Sequence, residues 1–452
     1  MSSDSNNLIN ASPTKEFFIY MLVKDLDLTR AISDLIDNCI DGAKRLRGIG
    51  SYEGLAIEID ANENLFRISD NCGGIPIDIA RTYAFRFGRV SGTPMTDYSI
   101  GRFGVGMKRA IFKLGKFFGI ESITNSSRFV VEQDVEQWAQ EVDNWDFRFK
   151  EVDPNYSLNE ISSVGTTITV TQLYEGISEE LSLVNYQTRL RNELTEDHQI
   201  SIERGLKIVL NGIPLKPLPI KILQSPHIAP AYKQLSRDGG IVSVRLYTGI
   251  TKPLDPKDTR LDPSKAGWNI FCNERLVLGA DKSPVTGWGR ENGNPGFHND
   301  HARFIGFAFF ESTQPDLLPW NTTKSGIDSD LSSYRAVKEE MTKMMKPVIK
   351  FLGNLSKEKR NQEEGDESLT PLEKLINSAQ LVPLTHISSE SNFTVIPPES
   401  TDTDRIKMRN IQYSKSEEEI LKVQKALGGN PTLGEVGVKT FEYYMMMECE
   451  EE

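Results

Sequence analysis

The chain has 452 residues, 38% of them hydrophobic, with a formal net charge of −12 and a sequence pI near 5.2. That length accommodates two to three domains with real cores. The acidity excludes bulk electrostatic binding to nucleic acid and leaves room only for a local site. No signal peptide or long apolar run is evident, and the four cysteines (Cys39, Cys72, Cys272, Cys449) form no Cys-x-x-Cys pair, so a reducing, cytoplasmic protein with no membrane partner is expected.

Residues 1–15 are polar and read as an N-terminal arm. The first strong pattern follows. Ile32, Leu35, Ile36, Cys39, Ala43 and Leu46 recur at three- and four-residue spacing, which puts them on one face of a helix. Asp34, Asn38 and Asp41 fall on the opposite face, with Thr29 as the expected N-cap and Gly48 as the stop. A neutral amide among acids suits a ligand to a hydrated cation, because Mg²⁺ takes a few protein oxygens plus waters and phosphates.

Two strand-like runs, LAIEID (55–60) and LFRIS (65–69), flank a turn, and Asp70 closes the second beside Cys72, Gly73 and Gly74. A carboxylate there can accept a hydrogen bond from the exocyclic amine of a purine, and the small residues let a flat base approach the backbone. Phe87 to Ser99 reads as a flexible polar lid. Then comes Gly101-x-x-Gly104-x-Gly106 running into a helix, which presents backbone N–H groups to phosphate. It lacks the Gly-Lys-Ser/Thr ending of a Walker A loop. From Arg81 to Lys116 there are eight basic residues and one acid, Asp97, a positive island that asks for an anionic partner.

Taken together these motifs resemble the GHKL (Bergerat-fold) ATPase superfamily of gyrase, a heat-shock chaperone, histidine kinases, MutL and the MORC ATPases. Gly165-Thr166-Thr167 matches the family's fourth motif. The resemblance implies an α+β fold: a two-layer α/β sandwich of the Bergerat type, its mixed sheet covered by helices. It implies ATP and Mg²⁺ as ligands. Asn38 would hold the metal, Asp70 would read adenine, and Thr166 would support Asp70. Gly74 and Gly101 would shape the pocket, and the loop around Gly104, Val105, Gly106 and Met107, with Lys108, would hold the phosphates. Asp34 stands where the family has a Glu general base. Being one methylene shorter, it reaches roughly 1.5 Å less. Cys72 replaces a glycine, which matters only if that position needs a positive φ.

Beyond residue 200, strand-like runs at 206–212, 241–249, 268–279 and 303–312 precede Leu318-Pro-Trp-Asn-Thr-Thr-Lys324 and a helical pattern from about Ser332 to Leu355. NERLVLG followed by LPWNTTKSGID resembles the ribosomal-S5-like transducer domain of this superfamily in its MORC-like form. That likeness implies that Lys324 senses the γ-phosphate. The resulting division is arm 1–15, ATP-binding domain 16–200, transducer 201–355, and a charged, partly disordered, partly helical region 356–452. Its 387–404 stretch is Ser/Thr/Pro-rich and expected to be loose. His298 and His301 are weak metal candidates. The expected function is a slow Mg²⁺-dependent ATPase acting as an ATP-dependent homodimeric switch or clamp on a partner protein or DNA. The alternative is an ATP-sensing module that does not hydrolyse.

Overall fold

The computed structural model describes residues 9, 11–88, 96–101, 104–141, 144–158, 164–253, 261–362, 369–396 and 411–449. Most of the arm, the centre of the lid (89–95, with Arg89), Arg102, the end of the charged linker and the Ser/Thr/Pro-rich stretch after 396 lie outside the described residues.

The fold is mixed α+β, with a large mixed sheet and many helices. Eight strands build the first sheet: β1 (Ala56–Ala61), β2 (Phe66–Asp70), β3 (Gly115–Ile123), β4 (Arg128–Asp134), β5 (Phe149–Asp153), β6 (Gly165–Leu173), β7 (Lys207–Leu210) and β8 (Ile213–Pro214). Their order is β5-β4-β3-β6-β2-β1-β7-β8, all antiparallel except β1 with β7. Side chains alternate across this sheet as the two-residue period requires. Ile57, Ile59, Phe66, Ile68, Phe118, Ile120, Ile168 and Val170 are buried, while Glu58, Asp60 and Arg67 face solvent. The register lines up Ile59, Ile68, Ile168 and Ile120 across four adjacent strands. The sheet runs on past residue 200 to Pro214 because β7 closes beside β1.

The motif helix, Leu28–Arg47, packs on this sheet, and fifteen of its residues are buried. It starts one residue before the expected cap. Asp27 is extended, and its carboxylate accepts the Arg30 N–H at 2.7 Å, so Asp27 caps the helix and Thr29 sits buried inside it. Gly48, at φ +67°, ends it as expected. The Lys15 ammonium donates to the carbonyls of Trp138 and Glu141 and sits 4.2 Å over the Trp138 ring. Phe18 packs 4.8 Å from Phe87 at the start of the lid.

After two short strands, β9 (Lys221–Gln224) and β10 (Ile228–Ala229), the second sheet orders its five strands β11-β12-β15-β13-β14, with β11 at Ala231–Arg237, β12 at Val242–Ile250, β13 at Gly267–Cys272, β14 at Arg275–Asp281 and β15 at Phe304–Ser312. The 268–279 run is a hairpin rather than one strand, because Asn273 and Glu274 both take positive φ (45° and 77°) and reverse the chain. A 29-residue helix, Ser332–Arg360, buries Tyr334, Val337, Met341, Met345, Val348, Leu352 and Leu355 at three- and four-residue steps. The stretch expected to be loose is ordered up to 396. Thr394–Val395 pairs with Ile228–Ala229, and Phe393 and Ile387 are buried, so apolar anchors outweigh the polar composition. His298 and His301 turn ring nitrogens toward the backbone N–H groups of Asp300 and His298 as a turn cap, and among the described residues no cluster of three or more metal-ligating groups occurs.

The chain divides into two compact units, Met1–Pro398 and Glu399–Glu452. The second holds helices Glu417–Leu427 and Leu433–Glu448, each opened by a capping box (Ser416 with Glu419, Thr432 with Glu435). Among the described residues, no helix is long and apolar enough to cross a membrane.

Candidate functional site

A cavity of about 540 Å³ lies between the motif helix, the end of β2, the start of β6 and the helix Gly106–Leu114. Asp34, Asn38, Asp70, Gly74, Gly101, Gly104, Val105, Gly106, Met107, Lys108, Thr166 and Lys324 all line it. Residues up to 290 positions apart therefore meet at one site. The size is ordinary for a small-molecule pocket.

At one wall, Asp70 accepts the Cys72 backbone N–H at 2.7 Å, and the Thr166 backbone N–H also serves it. Burial nevertheless pushes its carboxyl above the usual range. Cys72 takes no positive φ, so a side chain is tolerated where the family has glycine. Two neighbouring glycines are obligatory. Gly74 has φ +67°, and a Cβ there would stand 2.2 Å from the Ile123 carbonyl oxygen; a Cβ on Gly165 would stand 1.8 Å from the Asp70 carbonyl oxygen. These contacts hold the Asp70 turn flat against β3 and β6. The Thr166 hydroxyl lies 3.2 Å from Ser122 Oγ, and Ser122 Oγ accepts the Ile75 N–H at 2.6 Å.

At the other end, the Gly106–Leu114 helix points its first turn at Asp34, with the Gly106 Cβ position 3.5 Å from the Asp34 carboxylate. Lys108 is buried and donates to the carbonyls of Ala84 (3.0 Å) and Gly104 (2.5 Å). Among the described residues no carboxylate compensates its charge, and burial pushes its ammonium pKa down to about 7. Asn38 Nδ2 is buried without a partner, an orphaned amide on the cavity wall.

Asp34 is not free. Its Oδ2 accepts Arg109 Nη2 at 2.9 Å, and its Oδ1 accepts Lys324 Nζ at 3.0 Å. Lys324 also donates to Asp37 Oδ2 at 2.6 Å. Burial opposes the Lys324 charge, but the two carboxylates outweigh it and raise its pKa. Behind Asp37, Arg275 Nε approaches Oδ1 at 3.3 Å, and Arg275 Nη2 pairs with Asp197 at 2.7 Å. Burial pushes Asp197 up, yet Arg275 and Arg30 prevail and bring it to about 2. His198 lies 3.7 Å from Asp37 Oδ1. Burial and the adjacent Arg275 push His198 down to about 3, so it is neutral and makes no ion pair.

The β13–β14 hairpin packs against the motif helix and the end of the lid. Asn273 Nδ2 donates to the Ser99 carbonyl at 3.0 Å, and Lys44 donates to the carbonyls of Tyr98 and Asn273 at 2.8 and 2.9 Å. Glu274 takes a left-handed conformation that favours glycine, and its carboxylate meets Tyr52, Ser201 and Arg204. Asp41 accepts the N–H groups of Ile100 (2.7 Å) and Gly101 (2.8 Å), tying the lid's end to the motif helix.

Asp37, Arg109, Asp197, His198 and Arg275 were not singled out from the sequence. Asp37 had a signal, since it lies three residues after Asp34 on the same helical face. Arg275, Asp197 and His198 had none, because only tertiary packing joins them.

An α/β sandwich with a cavity walled by a glycine-rich turn into a helix defines the class of domain here. Residues 26–166 match the family described as histidine kinase-, DNA gyrase B-, and HSP90-like ATPase, a likeness that supports a GHKL-type domain in that segment. No curated protein matches the chain.

Proposed function

We propose that the cavity binds ATP with Mg²⁺ and that the protein is a slow ATPase. Asp70 would accept from the adenine amine. The N–H groups of Gly104, Val105, Gly106 and Met107 and the Lys108 ammonium would hold the phosphates. Asn38 would hold the metal through its Oδ1, the ion keeping most of its waters and taking phosphate oxygens, while the unpartnered Nδ2 would donate to a phosphate oxygen. The metal would neutralise charge on the phosphates. Asp34 would orient the attacking water once Lys324 leaves it, with Arg109 still holding its Oδ2. The five-stranded sheet would act as an S5-like, MORC-like transducer, with Lys324 sensing the γ-phosphate. ATP-dependent homodimerisation would then gate a partner protein or DNA.

The observation carrying this reading is the meeting of Asp70, Lys108 and Lys324 on one cavity, two of them cations in an acidic chain. The paired state of Asp34 favours a second reading, an ATP sensor with negligible turnover. Calorimetric titration with ATP, ADP and GTP tests the first claim. Wild type should bind ATP in preference to GTP, and Asp70→Asn should lose that preference. No heat with any nucleotide would end the proposal. Phosphate release by wild type against Asp34→Ala separates the two readings, since equal near-zero rates with retained binding select the sensor.

A further inference from the structure

We propose that Asp37 is a positioning residue that holds Lys324 in reserve beside the cavity and surrenders it to an incoming triphosphate. The inference rests on the nucleotide reading above and adds a residue to it. Lys324 is buried (6% exposed), with its ammonium 2.6 Å from Asp37 and 3.0 Å from Asp34. Its backbone has φ +52°, a conformation non-glycine residues seldom adopt, held by the Lys324 N–H to the Asn321 carbonyl and the Ser325 N–H to Asn321 Oδ1. The loop therefore aims the side chain deliberately at the motif helix.

Two carboxylates and one ammonium are an unequal match, and other cations make the balance. Arg109 covers Asp34 and Arg275 covers Asp37. If Lys324 moves to a phosphate, neither carboxylate is stranded: each keeps a guanidinium within 3.3 Å. Asp37 gives its shortest contact to Lys324 and only a longer, imperfect one to Arg275, whose Nε has no hydrogen-bond partner and whose Nη2 is held by Asp197. Arg275 is thus a waiting counter-ion, able to tighten on Asp37 when Lys324 leaves. Asp37 competes with the terminal phosphate for the ammonium. A diphosphate that does not reach Lys324 would leave the competition undisturbed.

The test has two arms. Amine-reactive labelling of Lys324 in nucleotide-free protein reads the held state without any ligand. Wild-type Lys324 should be protected relative to exposed lysines, and Asp37→Asn should raise its labelling several-fold. Titration with a non-hydrolysable ATP analogue and with ADP reads the transfer. Asp37→Asn should tighten the analogue roughly tenfold, the scale of a lost charged hydrogen bond, leave ADP unchanged, and do neither in a Lys324→Met background. A merely structural Asp37 would shift both nucleotides together, or would weaken the analogue; either result overturns the proposal, as does a freely labelled wild-type Lys324. Should Asp37→Asn not fold, wild-type labelling with and without the analogue decides, since persistent indifference to the analogue refutes transfer. Protection of Lys324 in a protein that binds no nucleotide would strike the nucleotide reading and the transfer with it, whereas nucleotide binding without transfer would strike this proposal alone.

Discussion

Lys108 offers a quantitative handle on phosphate binding. Its ammonium faces carbonyls only, and burial brings its pKa to about 7. A lowered lysine pKa means the empty site loses this charge as pH rises through neutrality. At pH 8 the group is about one-tenth charged, and at pH 6 about nine-tenths. A bound triphosphate supplies the missing counter-charge and raises the pKa, so binding should take up about 0.9 proton at pH 8 and about 0.1 at pH 6. Affinity should then fall by up to about 1.4 kcal/mol per pH unit above neutrality. His198, at about 3, contributes nothing in this window. Calorimetry of Mg-ATP binding in two buffers of different ionisation enthalpy measures the uptake directly. Lys108→Met should abolish it and flatten the pH profile. Equal uptake in wild type and Lys108→Met, or none at pH 8, would refute the assignment.

Three further outcomes follow from the same geometry, and a fourth from the proposed dimer switch. Arg275→Met breaks a buried pair and should cost about 3–5 kcal/mol in urea unfolding, whereas a loss under 1 kcal/mol, taken here as roughly the worth of an exposed pair, would mean the network is slack. Asp197, held at about 2 against an ordinary 3.8, contributes stability present above about pH 4 and lost as pH falls toward 2, about 2 kcal/mol in all; an acid titration of stability that is flat across this range would contradict it. Gly74→Ala meets the Ile123 carbonyl at 2.2 Å and should cost about 1–3 kcal/mol and weaken adenine binding, read by melting and titration. Light scattering should find a dimer with a non-hydrolysable ATP analogue and a monomer with ADP, and Lys324→Ala should weaken that dimer without changing ADP affinity.

Local patterns carried the site's outline further than its electrostatics. The apolar spacing of Ile32, Leu35, Ile36 and Cys39 places the motif helix, and the three glycines of 101–106 place the turn into the next helix. These are short-range effects of helical period and backbone freedom, legible in a few residues. The acidic face of that helix is another matter. Asp34, Asp37 and Asp41 look like a solvated stripe, yet all three are buried. Their partners Arg109, Lys324, Arg275 and the 100–101 backbone come from distant segments, and no local rule supplies them. The same holds for Asn273 and Glu274. Read as the middle of a strand, they form the hairpin tip that reaches Ser99 and Tyr52. The polar 387–396 stretch misleads for a related reason: a few apolar anchors, Ile387 and Phe393, decide its docking.

The most direct measurement is a crystal structure with magnesium and a non-hydrolysable ATP analogue. The account predicts the adenine amine within hydrogen-bond distance of Asp70, phosphates against the Gly104–Gly106 turn and Lys108, and the Lys324 ammonium shifted from Asp37 toward the terminal phosphate. A nucleotide seated elsewhere, or an empty cavity at saturating analogue, would contradict it.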